Sequence, residues 1–164
     1  MIKKIHRKNY LEATVCILLV AIVMVTFIQV LFRYLLHLSL AWSEELARYL
    51  FLWLAAFTSA YAFKTRSHFV LRFFVDLFGK RIQRFMGTVV VFVMSGFMIL
   101  FIWKAIAYTI TVASQTAPSL RISIAFPYSS AVVGGILMLY YIIKNWWVDI
   151  HKPLKLHSKQ EQVI

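Results

Sequence analysis

Four charged residues carry the first hint of chemistry in this chain. Glu44, Glu45 and Arg48 open one long apolar stretch, and Arg33 closes the stretch before it. Charge inside a membrane span is costly unless paired, so it marks the places where function is sought first. Glu44 and Arg48 stand four apart with the acid N-terminal, the better orientation for a helical pair. Both acids also lie near the positive end of the helix they would begin. Two readings are open: a structural cluster that pins helix ends or binds a partner helix, and a proton or cation site. Two acids and two bases sum to zero. A neutral set has little spare charge for an ion, which favours the structural reading.

Other chemistries find no residues to carry them. A membrane cytochrome needs imidazoles facing one another inside its helices. His6, His37, His68, His151 and His157 all fall outside the apolar runs. There is no HExxH, no CxxC and no Gly-rich phosphate loop, and Cys16 is the lone cysteine. Glu12, the carboxylate nearest the first run, sits at its basic edge and suits an ion-paired or snorkelling end residue better than the membrane acid of a small drug exporter. No enzyme activity, cofactor or metal site is expected.

Composition says what must hold these residues. The chain has 164 residues, 62% hydrophobic and 15% charged, too few charges to cover a soluble fold of that length. A net charge of +12 is a mark of nucleic-acid binding only where the basic residues share one folded face, and here they collect between apolar runs. An all-α integral membrane protein is expected, as a single membrane domain. Its helices are expected over about 11–33, 40–63, 85–108 and 122–147, each long enough to cross a hydrocarbon core. The second reaches that length only by including Glu44, Glu45 and Arg48, which leaves Trp42 at the interface, a depth that suits amphipathic aromatics. The first run exceeds a signal-peptide core and no small-residue cleavage site follows it, so it reads as a retained helix. Fourteen of the 18 Lys and Arg residues lie before the first apolar run, in the connection from Lys64 to Arg84, or after Ile143. That asymmetry places both termini in the cytoplasm. Between the second and third helices, Phe69, Phe73, Phe74 and Phe78 recur at helical spacing opposite Arg72 and Lys80, which predicts an amphipathic interfacial helix over about 67–82 with the membrane lipids as its partner. Ser130 with Gly134, and Ala131 with Gly135, are small pairs that permit close helix approach.

A resemblance rests on particular residues. Gln29–Val30–Leu31–Phe32–Arg33–Tyr34, then Ser39–Leu40–Ala41–Trp42–Ser43–Glu44–Glu45–Leu46–Ala47–Arg48 and Leu50–Phe51–Leu52–Trp53, resemble the DctQ-type small membrane subunit of tripartite ATP-independent periplasmic (TRAP) transporters. His68 matches a His that follows the family's second helix. Ser119–Leu120–Arg121–Ile122 with Phe126–Pro127 resembles, more weakly, the opening of its last helix. The chain departs from the pattern at Ser59, often Gly, and at Arg72, often an acid. The resemblance implies a multi-pass subunit of the bacterial inner membrane. It would work with a large membrane subunit that binds sodium and substrate, and with a periplasmic solute-binding protein. The cargo would be an organic acid such as a C4-dicarboxylate, a sialic acid or another sugar acid. Arg33, Trp42, Glu44, Glu45, Arg48, Trp53 and His68 would then be structural or interface residues. The competing class is a self-contained small carrier or membrane sensor. Against it stands the lack of any midplane charge, broken helix or internal repeat of the kind complete carriers use.

Overall fold

In lipid every backbone amide must find its partner within its own segment, so long apolar runs become helices even where β-branched residues crowd them. The computed structural model describes residues 10–38, 40–65 and 80–151, and these form four helices. They are α1 (Tyr10–Leu35), α2 (Ala41–Lys64), α3 (Lys80–Thr111) and α4 (Ala125–His151). All four contain a segment long and apolar enough to cross a membrane, and α2 is the least apolar of them. The amphipathic helix expected over 67–82 lies outside the described residues, apart from 80–82, which belong to α3.

The helices stand in a row. α2 packs on α1 and on α4, and α4 packs on α3. The outer helices each offer one stripe to the row and leave the rest open. On α1 the half-buried positions Leu11, Thr14, Leu18, Ala21, Val25 and Gln29 recur at three- and four-residue steps. Ile17, Val20 and Val23 on its other faces are more than half exposed. Lipid is as apolar as leucine, so close packing between helices comes from small residues rather than from burial of oily ones. Gly134 of α4 illustrates this. A Cβ built there would lie 2.8 Å from the Cβ of Ala56 on α2 and 3.2 Å from its Cα. On the next residue, Gly135, a Cβ would meet Ile102 of α3 at 2.8 Å. One glycine pair thus lets α4 approach both neighbours. At the other end of this contact, Asn145 Nδ2 donates to the Phe63 carbonyl at 2.8 Å and satisfies an acceptor of the last turn of α2.

α4 starts at Ala125, three residues later than expected at 122. The reason is local: the Ile122 carbonyl accepts from Ala117 N–H at 2.8 Å, and Ile124 N–H donates to Gln115 O at 3.0 Å. These groups are spent in a hairpin and are lost to the helix. Pro127 falls in the first turn, where its missing N–H costs nothing, and it is among the most deeply buried side chains. The first helix ends where His37 takes a left-handed φ of 53°, and Leu36 and Leu38 N–H both reach back to Phe32 O at 3.2 Å.

Candidate functional site

The polar centre of the molecule is built on the first two turns of α2. Nothing caps that helix from a side chain at Leu40. Ser43, fully buried, instead turns its Oγ back to the Leu40 carbonyl at 2.7 Å. Four residues apart, Glu45 and Tyr49 lie on one helix face, and each is only 8% exposed. Tyr49 Oη donates to Glu45 Oε1 at 2.8 Å. The other carboxylate oxygen, Oε2, accepts the backbone amides of Ser119 at 2.9 Å and Leu120 at 3.0 Å.

Those two amides belong to a folded loop between α3 and α4. Thr116 and Ser123 pair across it as an antiparallel bridge. Arg121, at a left-handed φ of 53°, closes its tip, with Arg121 N–H donating to Ala117 O at 3.0 Å. Ser123 Oγ donates to Ala113 O at 2.9 Å and accepts the Ala125 N–H at 3.3 Å, joining the loop to the start of α4. Successive amides in such a turn point the same way and form a concave site for an anion. Glu45 fills it. Below the loop, Tyr108 of α3 meets Tyr128 of α4 edge-on, with ring centroids 5.0 Å apart. Trp53 continues the same face of α2, with Phe57 at 5.6 Å and Phe126 at 5.8 Å. Its indole N–H is buried without a hydrogen-bond partner among the described residues.

The four charges read from the sequence separate in space. Glu45 turns inward to the loop. Glu44, exposed, accepts from Gln29 Nε2 of α1 at 3.1 Å. Arg33 and Arg48 are exposed, and among the described residues no ion pair joins either of them to Glu44 or Glu45. The pairing of acids with bases expected from the i, i+4 spacing is therefore replaced by hydrogen bonds to neutral donors. Those donors are better placed: two fixed amides and a phenol hold a carboxylate without ordering a long, flexible side chain. Trp42 is exposed at the end of α2, and His68 lies outside the described residues.

This geometry gives α2 two staples at one end, Glu44 to α1 and Glu45 to the α3–α4 loop. It leaves little for an ion. Three donors already occupy the Glu45 carboxylate, and a cation would have to displace them. Among the described residues no group of three His, Cys, Asp or Glu side chains could hold a metal. The described crevice beside Phe63, Val93, Met94, Phe97, Met98 and Ile142 has a purely apolar lining. Gln29, Tyr49, Ser119 and Leu120 are the working residues that the charge pattern does not single out as partners of the two acids. Their signal is the acid itself, since a carboxylate inside a span demands donors.

A family model described as the DctQ component of tripartite ATP-independent periplasmic transporters matches residues 22–152. The match spans α2, Glu45 and the loop that holds it. No curated protein matches the chain.

Proposed function

This chain belongs to the DctQ component family of the TRAP transporters, and we propose that within such a transporter it is the scaffold of the large membrane subunit and not itself the carrier. The observation that carries this reading is Glu45. Glu45, an acid buried inside a span, is committed to three donors of its own chain and so serves structure. The described spans offer no cage of paired donors in which a carboxylate substrate would trade its hydration shell.

The rest of the reading extends the family match. The large subunit binds sodium and an organic acid, a C4-dicarboxylate, a sialic acid or another sugar acid, and moves it inward. A periplasmic solute-binding protein delivers the acid. The distribution of Lys and Arg favours both termini in the cytoplasm of a bacterial inner membrane. In that orientation the Glu45-held loop faces the periplasm, and its ordered tip at 118–121 gives the binding protein a firm surface on which to dock.

Reconstitution tests this. Liposomes with a sodium gradient and ligand-loaded binding protein are expected to take up substrate only when both membrane subunits are present. Sodium-driven uptake by the purified 164-residue chain alone would overturn the scaffold reading and restore the small-carrier alternative.

A further inference from the structure

We infer that the open face of α2, marked by Glu44, Arg48, Phe51, Ala55, Thr58 and Ser59, is the seat of a transmembrane helix of the large subunit. This rests on the subunit reading above and assigns it a surface. The six positions recur at three- and four-residue steps, fall on one side of the helix and are all exposed. α2 is an inner member of the row, covered on two sides by α1 and α4. Its third side is bare.

Three observations say that lipid is the wrong cover. First, the bare side belongs to the least apolar of the four spans. The equally bare faces of α1 and α3 present Val20, Val23, Phe27, Phe92, Phe97 and Leu100, as lipid-facing helices do. Second, Arg48 lies seven residues inside the start of α2, about 10 Å along the axis. It has no ion-pair partner among the described residues, and Glu44 beside it is turned to Gln29. An intramembrane base of that kind normally faces protein and finds an acid or a carbonyl there. Lys104 of α3 is the instructive contrast, because its ammonium lies over the Trp103 ring at 5.1 Å and has a partner in its own helix. Third, Thr58 and Ser59 make no hydrogen bond among the described residues. Thr14, Thr26, Thr109 and Thr111, also in spans, all donate to a carbonyl of the preceding turn. Open hydroxyls beside Ala55 suit a second helix at close range, with acceptors for both and room for its backbone. The occupant is thus a helix with small residues opposite Ala55 and an acidic or carbonyl acceptor opposite Arg48.

The test is site-specific photo-crosslinking in membranes that contain the assembled transporter. A photoreactive residue at Ala55 or Ser59 is expected to give an adduct of the size of this chain plus the large subunit. Ala55→Leu and Arg48→Ala are each expected to reduce co-purified large subunit by about tenfold. Leu100→Ala, on the bare face of α3, is expected to leave it unchanged. Absence of the large-subunit adduct at both Ala55 and Ser59 overturns the assignment, and so does an adduct there to a second copy of this chain. Adducts to the large subunit from Val20 or Leu100 alone would move the interface elsewhere and leave the subunit reading standing. Normal uptake without this chain would remove that reading as well.

Discussion

Replacing Glu45 with leucine is expected to free the α3–α4 loop and to cut the recovered transporter complex, and uptake with it, by on the order of tenfold. Leucine keeps α2 apolar, so insertion of the span is not at issue. What is lost is a charged acceptor for three donors at once: Ser119 N–H, Leu120 N–H and Tyr49 Oη. Hydrogen bonds to an ionised group are about twice as strong as neutral ones. An amide left without a partner at the edge of a bilayer must find water or rearrange. The loop then has only its own turn bonds and the Thr116–Ser123 pairing to hold it. Smaller changes should grade the effect. Tyr49→Phe removes one of the three donors and leaves both amide contacts. Glu45→Gln retains a carbonyl oxygen but forfeits the charge, and it should fall between the parent and leucine. Limited proteolysis at the loop tip, measured on the assembled complex, checks the order directly.

The second large effect is expected at Gly134. A Cβ added there meets backbone and the Ala56 Cβ, neither of which can swing aside, so α2 and α4 must separate to admit any side chain. Gly134→Leu adds three further carbons at that point. Overpacking of this kind costs about 1–3 kcal/mol. For a chain of this length each kcal/mol corresponds to about 2–4 °C in melting temperature. The drop should be visible in the isolated subunit, before any partner is added. Gly135→Ala is expected to be milder, because the nearest atom there is Cγ1 of Ile102, part of a side chain that can turn. Gly96→Ala meets nothing within 4 Å and should be neutral or slightly stabilising, by the ordinary helix preference for alanine. A melting series in which Gly96→Ala fell as far as Gly134→Leu would contradict the packing described for the row.

The comparison of these glycines shows what a sequence alone can and cannot disclose here. The spans are legible because a bilayer admits few alternatives: a run of the right length, free of charge, must be a helix. Small pairs such as Ser130 and Gly134 are legible as candidates for close approach. Whether Ala56 or Ile102 lies opposite is set by how the four helices are arranged, and no periodicity reveals that. The candidate site divides in the same way. Glu44, Glu45 and Arg48 announce themselves as charges in a span. Spacing along the helix then suggests Arg48 as the partner of Glu44, since local geometry is all that spacing describes. The loop partners of Glu45 stand 74 and 75 residues away, and their amides carry no side-chain signature. Gln29, an ordinary polar residue in an apolar helix, likewise becomes a partner of Glu44 only once α1 and α2 are side by side. Hydropathy places the start of α4 too early for a related reason. Ile122 and Ile124 are apolar enough to join the span, but their backbone groups are taken by the hairpin.

The central claim is that Glu45 holds the loop and binds no coupling ion. Glu45→Gln in the reconstituted three-part transporter separates the two roles, because it weakens the staple and abolishes the charge a sodium ion would need. The measurement is initial uptake against sodium concentration, normalised to the amount of assembled complex. The account predicts less assembled complex, with the half-saturating sodium concentration and the steepness of the curve unchanged. Glu45→Gln complexes that assemble in full amounts but have lost or shifted their sodium dependence would contradict it.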